Sequence, residues 1–288
     1  MTDELVQAAR EAWRSTEPLH GMIYFVAEAR DRYVALGLDP SAGYFASRSA
    51  AMGPVGPGPV VATFFNFNPA LVARALPAAW ATTTPEAVLT ARLDGAGAAL
   101  ERLLGDVVES AEIREAADLA RRAAESAGAY PEGRPLFAAH AGLPWPERPH
   151  LVLWHAQTLL REFRGDAHVA ALLLAGLTGL EAVVLHVGSG QVPIRFLQRS
   201  RGWSDEQWAG AVDGLRDRGL LEKDEPVLTG EGRELRASIE AATDRAAVAA
   251  YRVLGVDGCA RLAELTRPMS RTVVKSGGLA LDKAPKPA

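Results

Sequence analysis

With 288 residues, 48% of them hydrophobic and 23% charged, the chain is long and apolar enough to bury a sizeable core, and global disorder is excluded. A formal net charge of −4 and a pI near 5.9 exclude the overall basic excess that a protein living on phosphate contacts shows. A single cysteine, Cys259, excludes an intramolecular disulfide and a thiolate metal cluster.

The N-terminus, Met1-Thr2-Asp3-Glu4, lacks the basic and apolar regions of a secretion signal. Helical spacing runs from Glu4 to Leu36, with a break expected at Glu17-Pro18, because the residue before proline is pushed out of the helical region. The second helix of this pair starts near Leu19 and ends at Gly37. The Pro/Gly-loaded stretch Ala51 to Val60 is expected to be a loop, and Val61 to Phe67 a short aromatic strand. Pro69 fits the first turn of a helix to Ala79, and Thr84-Pro85-Glu86 caps another, to about Leu104. Asp106 to Ala127 is again amphipathic and helical. The proline-rich stretch Tyr130 to Pro149 marks a boundary, and Leu151 to Phe163 forms a bridging helix closed by Arg164-Gly165.

Beyond it the pattern predicts an apolar helix from Ala167 to about Val187, ended by Gly188-Ser189-Gly190. It is too interrupted by Gly176, Thr178, Gly179 and Glu181 to span a bilayer, so no membrane partner and a cytoplasmic location are expected. A short helix over 192–200 follows, then Gly202-Trp203, then a helix capped by Ser204 that ends at Gly219. Leu220-Leu221 and Val227-Leu228 flank a hairpin-sized wing, and Thr229 caps a helix to about Leu254. The domains expected are 1–130, helical; 131–165, a Pro-rich linker and bridging helix; 166–254, a winged helix; and 255–288, a C-terminal segment with a flexible tail.

Helix, helix, helix, two-stranded wing, helix is the winged form of the helix-turn-helix. Gly-Leu-Leu at 219–221 and Leu-Thr-Gly-Glu-Gly-Arg at 228–233 resemble the MarR-like group over some 80 residues. Thr-Phe-Phe-Asn-Phe-Asn-Pro at 63–69, Trp-His at 154–155 and Arg-Glu-Phe-Arg-Gly-Asp-Ala-His at 161–168 resemble an actinobacterial, SalK-like helix-turn-helix family often found near natural-product gene clusters. That resemblance implies no particular reaction. The fold class expected is mainly α, with a helical N-terminal region around the aromatic strand and a C-terminal winged helix-turn-helix.

The third helix of the motif would present Asp205, Glu206, Gln207 and Trp208 to a DNA groove, with Asp213 further on, and the wing carries Glu222, Asp224 and Glu225 against Lys223. Carboxylates beside phosphates repel, so DNA is not the expected partner; Arg195, Arg199 and Arg201 are expected to pair with nearby acidic groups. The motif would then serve dimerisation, with a homodimer expected, or line a pocket.

The candidate catalytic residues are His20, His155, Glu162 and His168, because imidazole titrates near neutrality and a carboxylate can orient it. The candidate ligand contacts are Tyr24, Phe65, Asn66, Phe67, Asn68, Trp154, Arg164 and Asp166, since aromatics with a few orienting polar groups make up small-molecule sites. The competing structural readings are core histidines, Asn68 as a helix cap, and Asp166 as an N-cap bridged to Arg164. His155 and Glu162 lie two turns apart on one face, and His168, in a first turn, would point to the cavity of His155. His186, eighteen residues on from His168, would lie roughly 27 Å away along one straight helix. His140 and His150 carry no distinguishing signal. No cofactor is predicted, and a metal held by His20, His155 and His168 is set below a metal-free pocket, because no spacing demands it. The expected function is a small-molecule-binding protein of specialised metabolism with its pocket between the two halves. The alternatives are a biosynthetic enzyme using a histidine there, and a ligand-responsive transcriptional regulator.

Overall fold

The computed structural model describes residues 2–190 and 194–279, and the molecule is mainly helical. α1 (Asp3–Gly21) runs straight through Pro18, where a break is expected from sequence. The reason is tertiary. α1 lies along the last helix, from which Ser270 donates its hydroxyl to the Ser15 carbonyl at 2.5 Å, in the turn that the proline perturbs. The break comes later, at a 3-10 turn over Met22–Tyr24, followed by α2 (Ala27–Ala35). α3 (Pro40–Ser49) starts on Asp39, whose carboxylate accepts from the amides of Ser41 and Ala42 at 2.8 and 3.0 Å.

The expected loop and aromatic strand are replaced by α4 (Pro57–Phe64), and among the described residues no strand occurs. Pro57 and Pro59 occupy the first and third helical positions, where the backbone amides have no intrahelical acceptor, so both prolines are tolerated. The helix ends abruptly because Phe65 takes a positive φ of 59°. The next expected helix is divided into α5 (Pro69–Ala75) and α6 (Ala78–Thr82), with Leu76-Pro77 between them. Asn68 caps α5 as expected, its Oδ1 accepting from Ala70 N at 2.9 Å.

α7 (Pro85–Leu104) carries the expected Thr84 cap, 3.2 Å from Ala87 N. A 3-10 turn over Gly105–Glu109 precedes α8 (Ala111–Ala127), which Ser110 caps. The proline-rich stretch holds α9 (Pro135–Ala141), whose Leu136 and Phe137 are fully buried. α10 (Pro149–Leu174) is one continuous helix where two are expected, so neither Gly165 nor Asp166 marks a junction. The Asp166 carboxylate is committed elsewhere: it accepts from the amides of Leu136 and Phe137 at 3.1 and 2.9 Å, capping α9 instead of its own helix.

The expected long helix from 167 to 187 is broken at Gly176, and the axis turns by 99° between α10 and α11 (Gly179–Val187). Thr178 and Glu181 form a reciprocal capping box at the new start, which stabilises the break. α12 (Ile194–Arg201) and α13 (Asp205–Asp217) follow; the expected start of α12 at Val192 lies outside the described residues. Ser204 and Gln207 box the start of α13. The wing is reduced to one antiparallel bridge, Leu221 to Leu228.

α14 (Gly230–Ala247) ends before the expected Leu254, in a 3-10 turn over Val248–Tyr251. α15 (Gly255–Lys275) then returns to the N-terminal half along α1, so the C-terminal segment is ordered helix up to Lys275; the flexible tail expected beyond it falls largely outside the described residues. Two cores result. One joins α1 through the first two-thirds of α10 with α15, and the other runs from Ala171 to Ile239.

Candidate functional site

The two cores meet where the turn after α4 docks onto the turn between α12 and α13. Asn68 N donates to the Arg201 carbonyl at 2.9 Å, and Asn68 Nδ2 reaches the Gly202 carbonyl at 3.0 Å and Gln207 Oε1 at 3.2 Å. Trp203 Nε1 answers by donating to the Asn66 carbonyl at 3.0 Å. The approach needs Gly179: a β-carbon there would sit 2.0 Å from the Phe65 carbonyl oxygen. Asn66 and Asn68, expected as ligand contacts, thus hold the N-terminal half against the start of α13. Phe65 packs on the second core, and Phe67 is buried in the first, with the Arg201 guanidinium 4.5 Å above its ring.

Behind this contact lies a cavity of about 290 Å³ between α10, α11, α12, α14 and Asn66. Leu172, Ala182, Val183, Leu185, Leu197 and Ile239 supply its apolar wall. Its polar groups are Asn66, His168, His186, Arg201, Arg236 and Glu240. The 99° bend therefore brings His168 and His186 to one cavity, which overturns the expectation that a straight helix keeps them apart. Burial lowers the pKa of both histidines, that of His186 to about 4 with Arg236 adding to the effect, so both are neutral near pH 7. Their hydrogen bonds fix opposite tautomers. The Thr243 hydroxyl already donates to the Ile239 carbonyl, so His168 Nδ1, 3.0 Å away, must donate to it, leaving Nε2 as an acceptor. Arg236 can only donate, so His186 Nδ1, at 2.9 Å, accepts and its Nε2 carries the proton. Asn66 Oδ1 and Arg201 Nε are buried without a partner.

The other expected residues separate. His20, Tyr24, Trp154 and Glu162 converge in the N-terminal half. The His20 ring stacks on Trp154 at 5.3 Å and meets Tyr24 edge-on at 5.8 Å. Glu162 pairs with Arg48 at 3.6 Å and Arg161 at 3.3 Å, and Arg161 also bonds Glu17 at 2.8 Å. Burial opposes ionisation of Glu162, but Arg48 and Arg161 outweigh it and hold the carboxyl below its usual range. Burial likewise opposes ionisation of Tyr44, yet Arg48, Arg201 and Arg161 lower its pKa. Burial, reinforced by Arg161 and Arg92, keeps His20 neutral.

His155 is not part of this group or of the cavity: it lies edge-on to Trp145 at 4.8 Å, with its pKa pushed down to about 4, chiefly by burial. His168 consequently shares no site with it. Arg164 does not bridge to Asp166. It pairs with Glu240 at 3.0 Å and Asp244 at 2.8 Å, above the Trp13 ring, and ties α14 to α10. Among the described residues no three of His, Cys, Asp or Glu gather as metal ligands.

The sequence reading missed Arg48, Arg92, His140, His186 and Arg201 as members of these groups. His140 is fully enclosed beside Glu162, its Nδ1 donating to the Leu136 carbonyl at 2.9 Å. An Arg or His embedded at an apolar helical position, as Arg92 is between Ala91 and Leu93, was the available signal.

The surface of the motif differs from expectation in two respects. Trp208 is buried, leaving Asp205, Glu206 and Gln207 exposed at the start of α13. Arg195 and Arg199 are exposed and, among the described residues, neither they nor Arg201 form ion pairs with acidic groups. No helix is by itself long and apolar enough to cross a membrane. No curated protein matches the chain, and no solved structure does. The sequence model of a helix-turn-helix family, in contrast, matches residues 9–280, which take in both cores, and the chain therefore belongs to that helix-turn-helix family.

Proposed function

We propose that the protein binds a small molecule in the cavity at the junction of its two cores. The observation that supports this reading is the cavity of about 290 Å³, largely apolar but carrying histidines of opposite tautomer and an arginine with an unused donor. Apolar walls with a few convergent polar groups are the usual make-up of a ligand pocket. The ligand expected has an apolar body and one polar or anionic end, directed to Arg201 and His186. No cofactor takes part in this reading. A MarR-like form of the motif and a SalK-like, actinobacterial role in natural-product metabolism belong to the same proposal, and rest on the sequence segments 63–69, 161–168 and 219–233.

A thermal-shift screen of apolar acids against their neutral amides tests it, with Ala182→Phe as the control that fills the cavity. A ligand binding the native form at a hundred times its Kd stabilises by about 2.7 kcal/mol, a readily measured shift. Stabilisation of the wild type and not of Ala182→Phe is expected; equal responses in both would rule the cavity out.

Family membership, with Arg195 and Arg199 exposed, favours a second reading as a ligand-responsive DNA-binding regulator. Two features oppose it. The start of α13 is acidic, and Asn68 occupies Gln207 there. Duplex binding with a steep salt dependence would establish the regulator, and a flat gel shift across promoter fragments would remove it.

A further inference from the structure

Arg92, on α7, is 3% exposed and forms no ion pair among the described residues. The carboxylates of this group pair with other arginines: Glu162 with Arg48 and Arg161, and Glu17, through Oε1 alone, with Arg161. Arg92 has one weak hydrogen bond, Nη2 to His20 Nε2 at 3.4 Å, and its Nη1 has no partner. Its guanidinium carbon lies 5.2 Å from the Trp154 ring and 5.7 Å from the Tyr24 ring. Such cation–π contacts offset only part of the cost of taking a guanidinium out of water.

Two neighbouring donors also lack an acceptor. Arginine only donates, so His20 Nε2 must accept and the proton sits on Nδ1, which is buried without an acceptor. Trp154 Nε1 is likewise a buried donor with no partner. Gln157, fully buried three residues on from Trp154 and four before Arg161, shares their helix face and leaves both its amide donor and its amide oxygen unbonded. Buried donors without acceptors beside a guanidinium that forms no ion pair are what an anion receptor presents.

We propose that Arg92, His20 and Trp154 form an internal site for a small carboxylate, which supplies the missing counter-charge and accepts from the unpaired donors. The fork of Arg92 suits a carboxylate better than a spherical ion. None of these residues lines the junction cavity, so this site does not depend on the ligand proposed there.

The test is a melting experiment on the full chain with sodium acetate against acetamide at constant ionic strength. Acetate is expected to raise Tm saturably by a few degrees and acetamide not at all. Arg92→Met is expected to lose the response, whereas Arg201→Gln, altered in the junction cavity, keeps it. Should Arg92→Met fail to fold, Arg92→Lys, which retains charge without the fork, is expected to need several-fold more acetate. The proposal is overturned if the wild type does not respond, if acetamide matches acetate, if either Arg92 variant responds as the wild type does, or if the response disappears in Arg201→Gln.

Discussion

His155 shows what burial does to a single side chain here. Its pKa falls to about 4 against an ordinary 6.5, so the unfolded chain binds a proton that the folded chain refuses throughout that interval. Stability contributed by the neutral ring is therefore complete above pH 6.5 and is lost as pH falls through 4. His155→Phe, which keeps the edge-on partner of Trp145, is expected to flatten the decline in Tm between pH 6.5 and 4, and an unchanged slope would refute this. Asp166 works in the opposite sense. Burial raises it to about 6, so its ionisation costs stability as pH rises through that value. Asp166→Asn retains an oxygen for the Leu136 and Phe137 amides and removes the charge. Its Tm relative to the wild type is expected to climb between pH 4 and 7; a constant difference would show that the carboxyl ionises freely.

At the scale of elements, Gly179 decides whether the Phe65–Asn68 turn can dock. With a β-carbon 2.0 Å from the Phe65 carbonyl, Gly179→Ala must push the turn from α11 and strain the Asn68 and Trp203 bonds. A loss of about 2–4 kcal/mol is expected from denaturant melts, with the second core loosened first; a loss below about 0.5 kcal/mol would mean the contact is slack. Caps were the legible part of this architecture: Asn68, Thr84, Ser204 and Thr229 start helices as their side chains predict. Breaks were less legible, because distant partners decide them. Pro18 is carried through by packing on α15, Asp166 is drawn away to α9, and Gly176 breaks a helix whose apolar pattern continues past it. The same holds for the site. His20, Tyr24 and Trp154 are each candidates by residue type, but their meeting is not legible in the sequence, and the cavity residues His168 and His186 meet only because of the bend after α10.

At the scale of the whole molecule, the chain closes on itself. Cys259, Leu262, Leu265, Met269 and Val273 of α15 are buried in the first core, at spacings of three and four that mark a helix face in the sequence, where a C-terminal segment and tail are expected. Each large apolar side chain so buried contributes roughly 1.5–3 kcal/mol, and a domain holds only about 5–15 kcal/mol in total. Truncation after Leu254 is thus expected to abolish cooperative melting by circular dichroism, and a truncated chain melting near the wild-type Tm would show that α15 merely decorates the fold. The same closure makes the junction a fixed feature, since α10 spans both cores and Arg164 locks α14 against it. The most direct test of the ligand-binding account is native mass spectrometry of freshly isolated wild type beside Ala182→Phe. A co-purifying small molecule on the wild type, absent from Ala182→Phe, is the result predicted. The same adduct on both proteins would contradict the account.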